Sequence, residues 1–545
     1  MFRKIKKILI ALVVSLSLLG FADSYFEIAK NLDVFTTLYR ELNNYYVDET
    51  DPGKLMKTGI DAMLKSLDPY TTYIPESEIE DFKFMTTGQY GGIGAVITQR
   101  NSYVFISEPY EGFPAQKAGL IAGDKILKID GISAKDKTTE EVSKALKGEP
   151  NTEVKLLIER RGENPFNVVF NREKISVKSV PYSAFIDDNI AYLKLRSFTR
   201  NCTKDIKREL QVLQKDKNIE GIVLDLRNNP GGLLNEAVSM VNLFVDKGEE
   251  VVSTKGKIKS WDNIYKANSE TFDRETPIVV LINQSSASAS EIVAGAIQDL
   301  DRGVVIGQRS FGKGLVQQTK KLSYNAQLKL TVAKYYIPSG RCIQALDYSN
   351  RNKDGSVGKI ADSLMTEFKT RNGRIVYDGG GINPDITIEQ DEINQIVIAL
   401  LRERLFFDYA SEYHFLNPAL DSNYIMSDGD FSKFEDFLKD KEFEYKTETE
   451  RIIKKIKDIS KKEEYYSYLE VDLQNLSDKF MLEKKDDLQK SKSDIKEILS
   501  GEISSRYFYQ KGRIKSSINY DKEIHKALKV LENPSLYDSI LQGLN

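Results

Sequence analysis

The chain contains 545 residues, of which 41% are hydrophobic and 29% are charged, and its formal net charge is -3. This composition is typical of soluble globular proteins, and the length predicts three or four domains, since one hydrophobic core usually organises about 100–200 residues. A charge so close to balance gives no reason to expect a nucleic-acid partner. The two cysteines, Cys202 and Cys342, exclude a disulfide framework but leave a single bridge open. Because no Cys and His residues stand at metal-ligand spacing, we expect neither a metal nor another cofactor.

The N-terminus has the pattern of an export signal. Four basic residues among the first seven precede an apolar run at 8–21, and Gly20-Phe21-Ala22 fits a small-x-small cleavage site before Asp23. We therefore predict a signal peptide at 1–22 and a periplasmic or otherwise extracytoplasmic location for the rest of the chain. The apolar run is shorter than the roughly 20 residues that span a membrane. An uncleaved signal is the alternative interpretation, and it would keep the protein close to the membrane.

Helical patterns are predicted at both ends of the chain. Residues 23–87 are expected to form an N-terminal helical segment, because apolar residues recur there at spacings of three and four. Residues 391–545 are expected to form a helical, charged C-terminal extension, with apolar faces set among Lys and Glu residues. No catalytic pattern is present in the extension, so we interpret it as a packing or assembly element and expect a homodimer through the helical termini. The N-terminal apolar positions are Ile28, Leu32, Phe35, Leu38, Leu42 and Tyr45.

Residues 88–172 change character and resemble a PDZ domain. A glycine turn at 91–94 feeds a strand, and the run AGLIAGDKILKIDG follows at 118–131, before a short helix and a further strand. PDZ domains add a peptide to their sheet as an extra strand and bind its terminal carboxylate through loop amides. We therefore expect a peptide-binding domain with a loop that binds the substrate tail. The residues of that loop are Gly91, Gly92, Ile93 and Gly94.

Residues 173–390 alternate apolar strand-like runs with helical segments. The buried-type runs lie at 190–195, 221–226, 277–283 and 304–306. This alternation predicts an α/β domain built around a sheet. The expected fold class is therefore multidomain, with an α/β core, a PDZ-like β-rich module and helical N- and C-terminal segments.

A serine-rich turn in the α/β domain is the first candidate for chemistry. The run SASAS at 286–290 lies between an apolar strand and a helical run at 291–300. A small residue at a strand-to-helix turn leaves its hydroxyl exposed, and the amides of the helix N-terminus favour a developing negative charge. A serine in this position is otherwise an ordinary helix cap. The turn alone does not decide between these interpretations.

A nucleophilic serine needs a base, and the usual histidine is missing from this domain. The only histidines, His414 and His525, lie in the C-terminal helical region. Lys313 stands between two glycines, with apolar neighbours that would desolvate its ammonium group and lower its pKa. A neutral lysine can accept a serine proton. The alternative is a surface lysine in a phosphate-binding glycine loop, but no Walker spacing accompanies it.

Four long runs make the chain resemble the carboxy-terminal processing proteases, also called tail-specific proteases. They are LDLRNNPGGLL at 224–234, SASASEIVAGAIQD at 286–299, RSFGKGLVQQ at 309–318 and GGGINPDI at 379–386. The runs LDPYTTYIPESEIEDF and GQYGGIGA are similar to the same family, so the resemblance covers roughly residues 25–390. It implies a Ser-Lys peptidase core at 173–390. In that core Ser288 would be the nucleophile, Lys313 the general base and Gln317 the residue that orients the lysine.

The resemblance also implies an oxyanion hole and a class of substrate. One donor would be the amide after the nucleophile, that of Ala289, and the other a glycine amide of the NPGG loop, which is Gly231 or, as we favour, Gly232. Substrates would be proteins with exposed C-terminal tails, which the PDZ-like module captures and the core cuts near their C-termini.

Two other functions remain to be weighed. A non-enzymatic PDZ adaptor or chaperone could retain the protease scaffold, but the intact Ser288, Lys313 and Gln317 argue against it. A trypsin-like protease with a PDZ domain would need a histidine before its serine in the catalytic domain, and the sequence has none there.

Overall fold

The computed structural model describes residues 25–352, 355–389 and 392–544. The predicted signal peptide at 1–22 lies outside the described residues. The chain divides into two compact units, one with the residues up to Pro75 and Thr319–Leu330, the other with Glu76–Gln318 and the residues from Thr331 onward. The strand Gln327–Tyr336 supplies residues to both units.

The first unit is mainly helical. Its helices cover residues 25–45 and Pro52–Lys65, and the strand Thr72–Ile74 pairs antiparallel with residues 327–329. The Asp51 side chain caps the second helix, and a proline in its first turn suits this start. The first helix carries the apolar face that its sequence predicts. Nine apolar side chains of this helix are at least 40% exposed: Tyr25, Phe26, Ile28, Leu32, Val34, Phe35, Leu38, Leu42 and Tyr45.

A β-rich module occupies residues 95–171 of the second unit. Its sheet contains, in spatial order, the strands Ala95–Arg100, Tyr103–Pro109, Lys125–Ile129, Glu153–Glu159 and Phe166–Asn171, with Ile132–Ser133 beside the third. Two helices, Pro114–Lys117 and Thr139–Leu146, complete it. Alternate residues of the strands are fully buried, among them Val104, Ile106 and Leu156. This is the period-two pattern of a sheet with one face on a core.

Two short strands join this module to the rest of the chain. Gln89–Gly92 pairs antiparallel with Glu173–Ser176. The sequence predicts a glycine turn at 91–94, but Gly91 and Gly92 lie in this strand and the chain turns after them, at Gly94, which has a φ of 72°. A Cβ on Gly91 would stand 2.1 Å from the carbonyl oxygen of Gly148. Close approach of two backbones therefore explains this glycine better than a turn does.

Six strands form the central sheet of the α/β core. Their spatial order is Tyr182–Asp187, Ile190–Lys194, Gly221–Asp225, Ile278–Ile282, Val304–Gly307 and Ile386–Thr387. The first pair is antiparallel and every other pair is parallel. The two middle strands are buried along their whole length. Parallel strands of this kind need apolar cover on both faces of the sheet.

The two faces of the central sheet are covered by distant parts of the chain. The helices Cys202–Asp216, Leu234–Val241 and Ala289–Asp299 cover one face. The other face is covered by the last two helices, Lys522–Leu531 and Pro534–Leu541, through buried apolar side chains. These two helices belong to the sequence region 391–545 that was expected to form an extension. They complete the packing of the core instead of standing apart from it.

Further strands do not belong to the central sheet. They are Glu250–Gly256, Asn263–Lys266, Leu315–Lys321, Leu346–Arg351, Val357–Lys359, Glu367–Lys369 and Ile375–Tyr377, with single-turn helices at Glu76–Glu78, Lys259–Trp261 and Asp362–Leu364. Glu250–Gly256 pairs antiparallel with Asn263–Lys266 and with residues 333–336. The helix Ile79–Thr87 precedes the connecting strands.

Most of the remaining helices pack around an apolar core of their own, which Glu448–Lys462 and Tyr466–Lys484 do not join; together these helices are called the helical layer. They are Gln395–Arg402, Leu405–Leu416, Asp428–Lys439, Glu448–Lys462, Tyr466–Lys484, Asp487–Lys490 and Lys492–Ile518. Among the described residues, four ion pairs join this layer to the β-rich module, including Arg100 with Asp408 at 2.8 Å and Glu108 with Arg513 at 2.7 Å. The C-terminal helices therefore contact both the module and the core.

The predicted fold class is confirmed. The structure contains an α/β core, a β-rich module and helical segments before and after them. Both Cys202 and Cys342 are free thiols, so the bridge that the sequence left open is not formed. No helix in the described ranges combines the length and the apolar composition that a membrane span requires.

Candidate active site

The serine-rich turn connects the buried strand Ile278–Ile282 to the helix Ala289–Asp299. Ser288 immediately precedes the helix and has φ 57° and ψ -110°, a strained conformation for a residue with a side chain. Ser288 is half-buried, whereas Ala287 and Ala289 on either side of it are buried. The turn thus presents Ser288 at the carboxyl end of a central strand and at the N-terminus of a helix. In α/β-hydrolases, a sharp strand-to-helix turn of this kind exposes the nucleophile.

The two flanking serines fix the turn. Ser286 Oγ donates to the carbonyl of Leu226 at 2.8 Å, and Ser290 Oγ donates to the carbonyl of Asn229 at 2.9 Å. Both serines are fully buried, so their hydroxyl groups serve the backbone. Among the three serines of SASAS, the middle one is the one that is half-buried rather than fully buried.

The loop 226–232 places Gly231 against the serine turn and Gly232 against Phe198. A Cβ on Gly231 would stand 2.6 Å from the carbonyl oxygen of Ala287, and a Cβ on Gly232 would stand 2.3 Å from that of Phe198. Their φ angles are 96° and 147°. Both positions therefore require glycine, because a side chain would meet backbone atoms in a conformation that other residues rarely adopt.

The amides around Ser288 differ in their hydrogen bonding. Gly231 N–H donates to Asn229 Oδ1 at 2.9 Å. In the described part of the chain, no hydrogen bond is found from the N–H of Gly232 or from that of Ala289. Gly232 is also exposed. The amides of Gly232 and Ala289 thus differ from that of Gly231, whose N–H already has an acceptor.

Glu291 joins the serine turn to the lysine loop. Its Oε2 accepts from the N–H of Ser288 at 2.7 Å and from that of Lys313 at 2.9 Å. Its Oε1 accepts from the N–H of Gly312 at 2.7 Å and from Ser310 Oγ at 2.6 Å. The side chain is fully buried; burial raises the pKa of Glu291, and these donors oppose the rise. Because two amides share one oxygen, the main chains of Ser288 and Lys313 lie side by side.

No role is predicted for Glu291 from the sequence, although the residue stands in the run SASASE. The sequence does contain one signal for such a role: Glu291 stands among mostly apolar residues in a helical run. The structure shows that every residue from Ala289 to Asp299 is buried. A carboxylate inside such a helix requires hydrogen-bond donors. The glycine loop at 309–314, rich in backbone N–H groups, is the source that could have been inferred.

Lys313 lies in the loop before the strand Leu315–Lys321, and its side chain is half-buried. Both neighbouring glycines are buried against the segment at 344–345. A Cβ on Gly312 would stand 2.3 Å from Ala345 Cβ, and a Cβ on Gly314 would stand 2.9 Å from the amide nitrogen of Gln344. The two glycines therefore let the loop pack tightly on either side of the lysine.

Gln317, the third predicted catalytic residue, lies four positions after Lys313 in the strand Leu315–Lys321 and is half-buried. Its Nε2 donates to Thr331 Oγ1 at 3.2 Å, across to the strand Gln327–Tyr336. This contact fixes the amide group. The orientation of the lysine by Gln317 stays a prediction.

The two histidines lie outside this arrangement. His414 belongs to the helix Leu405–Leu416, where its ring centroid is 4.6 Å from that of Tyr507, and burial lowers its pKa. His525 belongs to the helix Lys522–Leu531. Over the described ranges, no group of three or more His, Cys, Asp or Glu residues is placed to hold a metal ion.

The predicted tail-binding residues stand at the start of an open sheet edge. Ile93 and Gly94 use their carbonyl groups within the module, accepting from Ala115 N–H and Tyr110 N–H at 2.8 Å each. The strand Ala95–Arg100 follows, and among the described residues no strand pairs with its outer edge. The helix Thr139–Leu146 packs against this same strand. An edge strand beside a helix is the arrangement to which PDZ domains add a peptide strand.

Comparison with known proteins identifies the family. Family models match residues 105–160 as "PDZ domain", 189–348 as "Peptidase family S41" and 396–531 as "Probable PDZ-protease, C-terminal helical domain". A "Carboxy-terminal-processing protease" of Bartonella bacilliformis is 40% identical over 322 residues, which are 58% of this chain and 73% of that protein. The chain belongs to the carboxy-terminal-processing proteases of peptidase family S41.

Two further comparisons concern this family. A "Probable CtpA-like serine protease" of Staphylococcus aureus is 38% identical over 315 residues, covering 57% of this chain and 62% of that protein, so the match spans less than two thirds of that relative. The solved structure titled "Photosystem II D1 C-terminal processing protease" is 28% identical and covers 65% of this chain and 92% of its own, with a TM-score of 0.35. The family predicted from the sequence motifs is confirmed by the family models and the Bartonella relative.

Replacing Glu291 with Gln tests its place in this carboxy-terminal-processing protease. The amide group would turn one acceptor oxygen into a donor that faces backbone N–H groups. We expect Glu291→Gln to lower the free energy of unfolding by about 2–3 kcal/mol, because buried donors lose their acceptor. We also expect cleavage of an unstructured protein to slow by about 100-fold, because the serine and lysine segments lose their common anchor.

Chemical denaturation and steady-state cleavage measure the two effects. Glu141→Gln is the matched control, because Glu141 accepts from the helix cap Thr138 at the surface, where Gln can replace it. A Glu291→Gln variant with wild-type stability and cleavage would show that the shared carboxylate is dispensable.

Proposed function

We propose that this chain is a serine endopeptidase in which Ser288 is the nucleophile and Lys313 the general base. The observation that carries the proposal is the carboxylate of Glu291, which binds the main chains of both residues at once. It brings together two segments that are separated in sequence, next to amides that have no other hydrogen bond in the described chain. In this proposal Gln317 orients the lysine.

The reaction would run through an acyl-enzyme. Neutral Lys313 takes the proton of Ser288 Oγ as this oxygen attacks the scissile carbonyl carbon. The carbonyl oxygen becomes an oxyanion, which the N–H groups of Gly232 and Ala289 stabilise. Collapse of the tetrahedral intermediate breaks the C–N bond, and the lysine returns the proton to the leaving amine. A water molecule, activated by the same lysine, then hydrolyses the ester and regenerates the serine.

The choice of Gly232 over Gly231 rests on hydrogen bonding. The amide of Gly231 is already used by Asn229 Oδ1, so it would have to give up that bond to bind an oxyanion. Gly232 is exposed and its amide has no such competitor among the described residues. Ala289, as the first residue of a helix, presents an N–H at the positive end of the helix dipole.

The substrate is proposed to be a protein with an exposed C-terminal tail. Residues 88–172 would act as the peptide-binding domain, with the tail carboxylate at Gly91, Gly92, Ile93 and Gly94 and the tail itself along the open edge of Ala95–Arg100. The core at 173–390 would then cut near the C-terminus. A non-enzymatic adaptor would not need a strained serine beside a lysine loop, so the peptidase is the better supported function.

Location and assembly complete the proposal. The signal pattern at 1–22 supports export to the periplasm or another extracytoplasmic space, which cell fractionation would check. The exposed apolar face of the helix at 25–45 supports a homodimer through the helical termini.

Leu38→Glu should shift the protein to a monomer in sedimentation equilibrium; an unchanged mass for wild type and variant would remove this helix from the interface.

Removing either member of the dyad should abolish turnover. Because Ser288 and Lys313 would act as a unit, we expect Ser288→Ala and Lys313→Ala each to lower kcat by about 10³-fold or more, and the double variant to be no worse than either single one. Casein cleavage by the purified variants, with circular dichroism as a check of folding, measures this. A control in which both His414 and His525 are replaced by Gln should keep its activity. Near wild-type cleavage by folded Lys313→Ala would remove the lysine from the mechanism.

Tail capture should depend on the terminal carboxylate. Blocking one peptide substrate as its C-terminal amide leaves the scissile bond unchanged but removes the charged group, so we expect kcat/KM to fall by about tenfold or more. Gly92→Val should reduce cleavage of the acid form similarly, since a Cβ there would stand 2.7 Å from the Tyr90 ring. Gly358→Val is the control, because a Cβ at Gly358 meets nothing within 4 Å. Equal wild-type rates on acid and amide peptides would show that the module does not read the terminus.

A further inference from the structure

One arginine connects the glycine loop of the active site to the C-terminal helices. Arg227 follows the buried strand Gly221–Asp225 and stands in the loop 226–232, five residues before Gly232. Its side chain is only 11% exposed and contacts the carboxylates of Asp225, Asp521 and Glu523. Two of these three partners come from the C-terminal helices, nearly 300 positions away in the chain.

The contacts use every edge of the guanidinium group. Asp225 accepts from Nε at 3.0 Å and from Nη2 at 2.8 Å, and its Oδ1 also accepts from the backbone N–H of Arg227 at 2.9 Å. Asp521 stands 2.9 Å from Nη1 and 2.8 Å from Nη2. Glu523 accepts from Nη1 at 3.2 Å. Bidentate hydrogen bonds of this kind fix both the distance of the guanidinium group from the carboxylate and the orientation of its plane.

The carboxylates on both sides of Arg227 are held in place. Asp225 is fully buried; burial would raise its pKa, but the charges of Arg227 and Lys194 lower the pKa well below its ordinary value. Asp225 therefore stays ionised. Asp521 caps the helix Lys522–Leu531, because its Oδ1 accepts from Ile524 N–H at 3.0 Å. That helix is fixed in turn by its apolar cover of the central sheet.

Arg227 is linked to the oxyanion amides by a short series of hydrogen bonds. The next residue, Asn228, exchanges two bonds with Asn283, each of 3.0 Å. The carbonyl of Asn229 accepts from Ala287 N–H at 3.1 Å, next to Ser288. A shift of Arg227 would therefore move the loop relative to the serine turn, and Gly232 with it.

Open space lies beside this ion-pair cluster. A polar cavity of about 850 Å³ is lined by Arg227, Asn228 and Asn283 on the core side and by Asp521 and Glu523 on the helical side. The loop therefore borders solvent-accessible space here rather than tightly packed side chains. The ion pairs of Arg227 are the contacts that bridge it.

We propose that Arg227 is a positioning residue for the oxyanion hole and that the C-terminal helices complete the active site through Asp521 and Glu523. The inference rests on the proposed peptidase function. In this arrangement the ion pair with Asp225 fixes the arginine to the central sheet. The ion pairs with Asp521 and Glu523 set the angle at which the loop 226–232 leaves the sheet. The C-terminal helices then take part in catalysis through Arg227.

The substitution Asp521→Asn separates positioning from stability. Asn caps a helix as well as Asp does, so the helix start is preserved while the charge that binds Arg227 is lost. We expect kcat on a peptide with a free apolar C-terminus to fall about tenfold, since a small misplacement of an oxyanion donor slows the reaction sharply. KM and the midpoint of thermal unfolding should stay near the wild-type values. Arg227→Lys, which keeps the charge but loses the fork, should behave similarly.

A second readout reports on the oxyanion hole itself. A peptide boronate bonds to the serine oxygen as a tetrahedral adduct, so its inhibition constant should rise about tenfold in Asp521→Asn, in parallel with kcat. Asp428→Asn is the matched control, because it removes an acidic group that pairs with Lys492 and Lys496 elsewhere in the helical layer. It should change neither kcat nor boronate binding.

The outcomes are distinguishable. A fall in kcat and in boronate affinity at unchanged KM and thermal midpoint supports the inference. Wild-type kcat in folded Asp521→Asn, or a loss that merely follows a lowered thermal midpoint, overturns it while leaving the peptidase intact. Wild-type protein that cleaves no faster than Ser288→Ala overturns the proposed function, and this inference with it.

Discussion

The carboxylate of Glu291 is the interaction on which the rest of the site depends. It is buried in an apolar helix and accepts from three backbone amides and one hydroxyl group, which come from the serine turn and from the loop that carries Lys313. A buried carboxylate without such donors would cost several kcal/mol. The lysine loop supplies three of these four donors, from Ser310, Gly312 and Lys313, and the serine turn supplies the fourth. The same need for donors that makes Glu291 costly to bury therefore fixes the spacing between serine and lysine.

The core sheet imposes a second constraint, which reaches the far end of the chain. Its parallel strands are buried on both faces, and the sequence before residue 390 supplies helices for only one of them. The helices after residue 520 cover the other face and bring Asp521 and Glu523 to Arg227. Covering the sheet and supporting the active-site loop are thus consequences of one packing requirement, which explains why a peptidase core and a helical segment that looks separate in sequence form a single folded body.

The sequence predicts well what is encoded in contiguous motifs. The module after Gly88, the strands of the core and the serine-rich turn were all predicted from local pattern, because a strand or a turn depends on neighbouring residues. Pairings between distant residues were not predicted: Arg227 and Asp521 are 294 positions apart, and nothing local distinguishes this aspartate from other charged residues of the helices. Gly91 and Gly231 illustrate a third case. A glycine needed for close backbone contact looks the same in sequence as a glycine needed for a turn or as an amide donor. Only the structure separates these roles, through the Gly148 carbonyl beside Gly91 and the Asn229 side chain that accepts from Gly231.

Anchoring the proposed base, Lys313, by its main chain has a chemical advantage. An ion pair between a carboxylate and the ammonium group would position the side chain, but it would also raise the lysine pKa and keep the group protonated, which disables it as a base. Glu291 avoids this conflict, because it binds the amide N–H of Lys313 and so places the residue without requiring contact with its charge. Ser288 is held in the same way, because its amide N–H donates to Glu291 Oε2. The proposed Ser288–Lys313 pair is therefore positioned through backbone contacts to one buried acid.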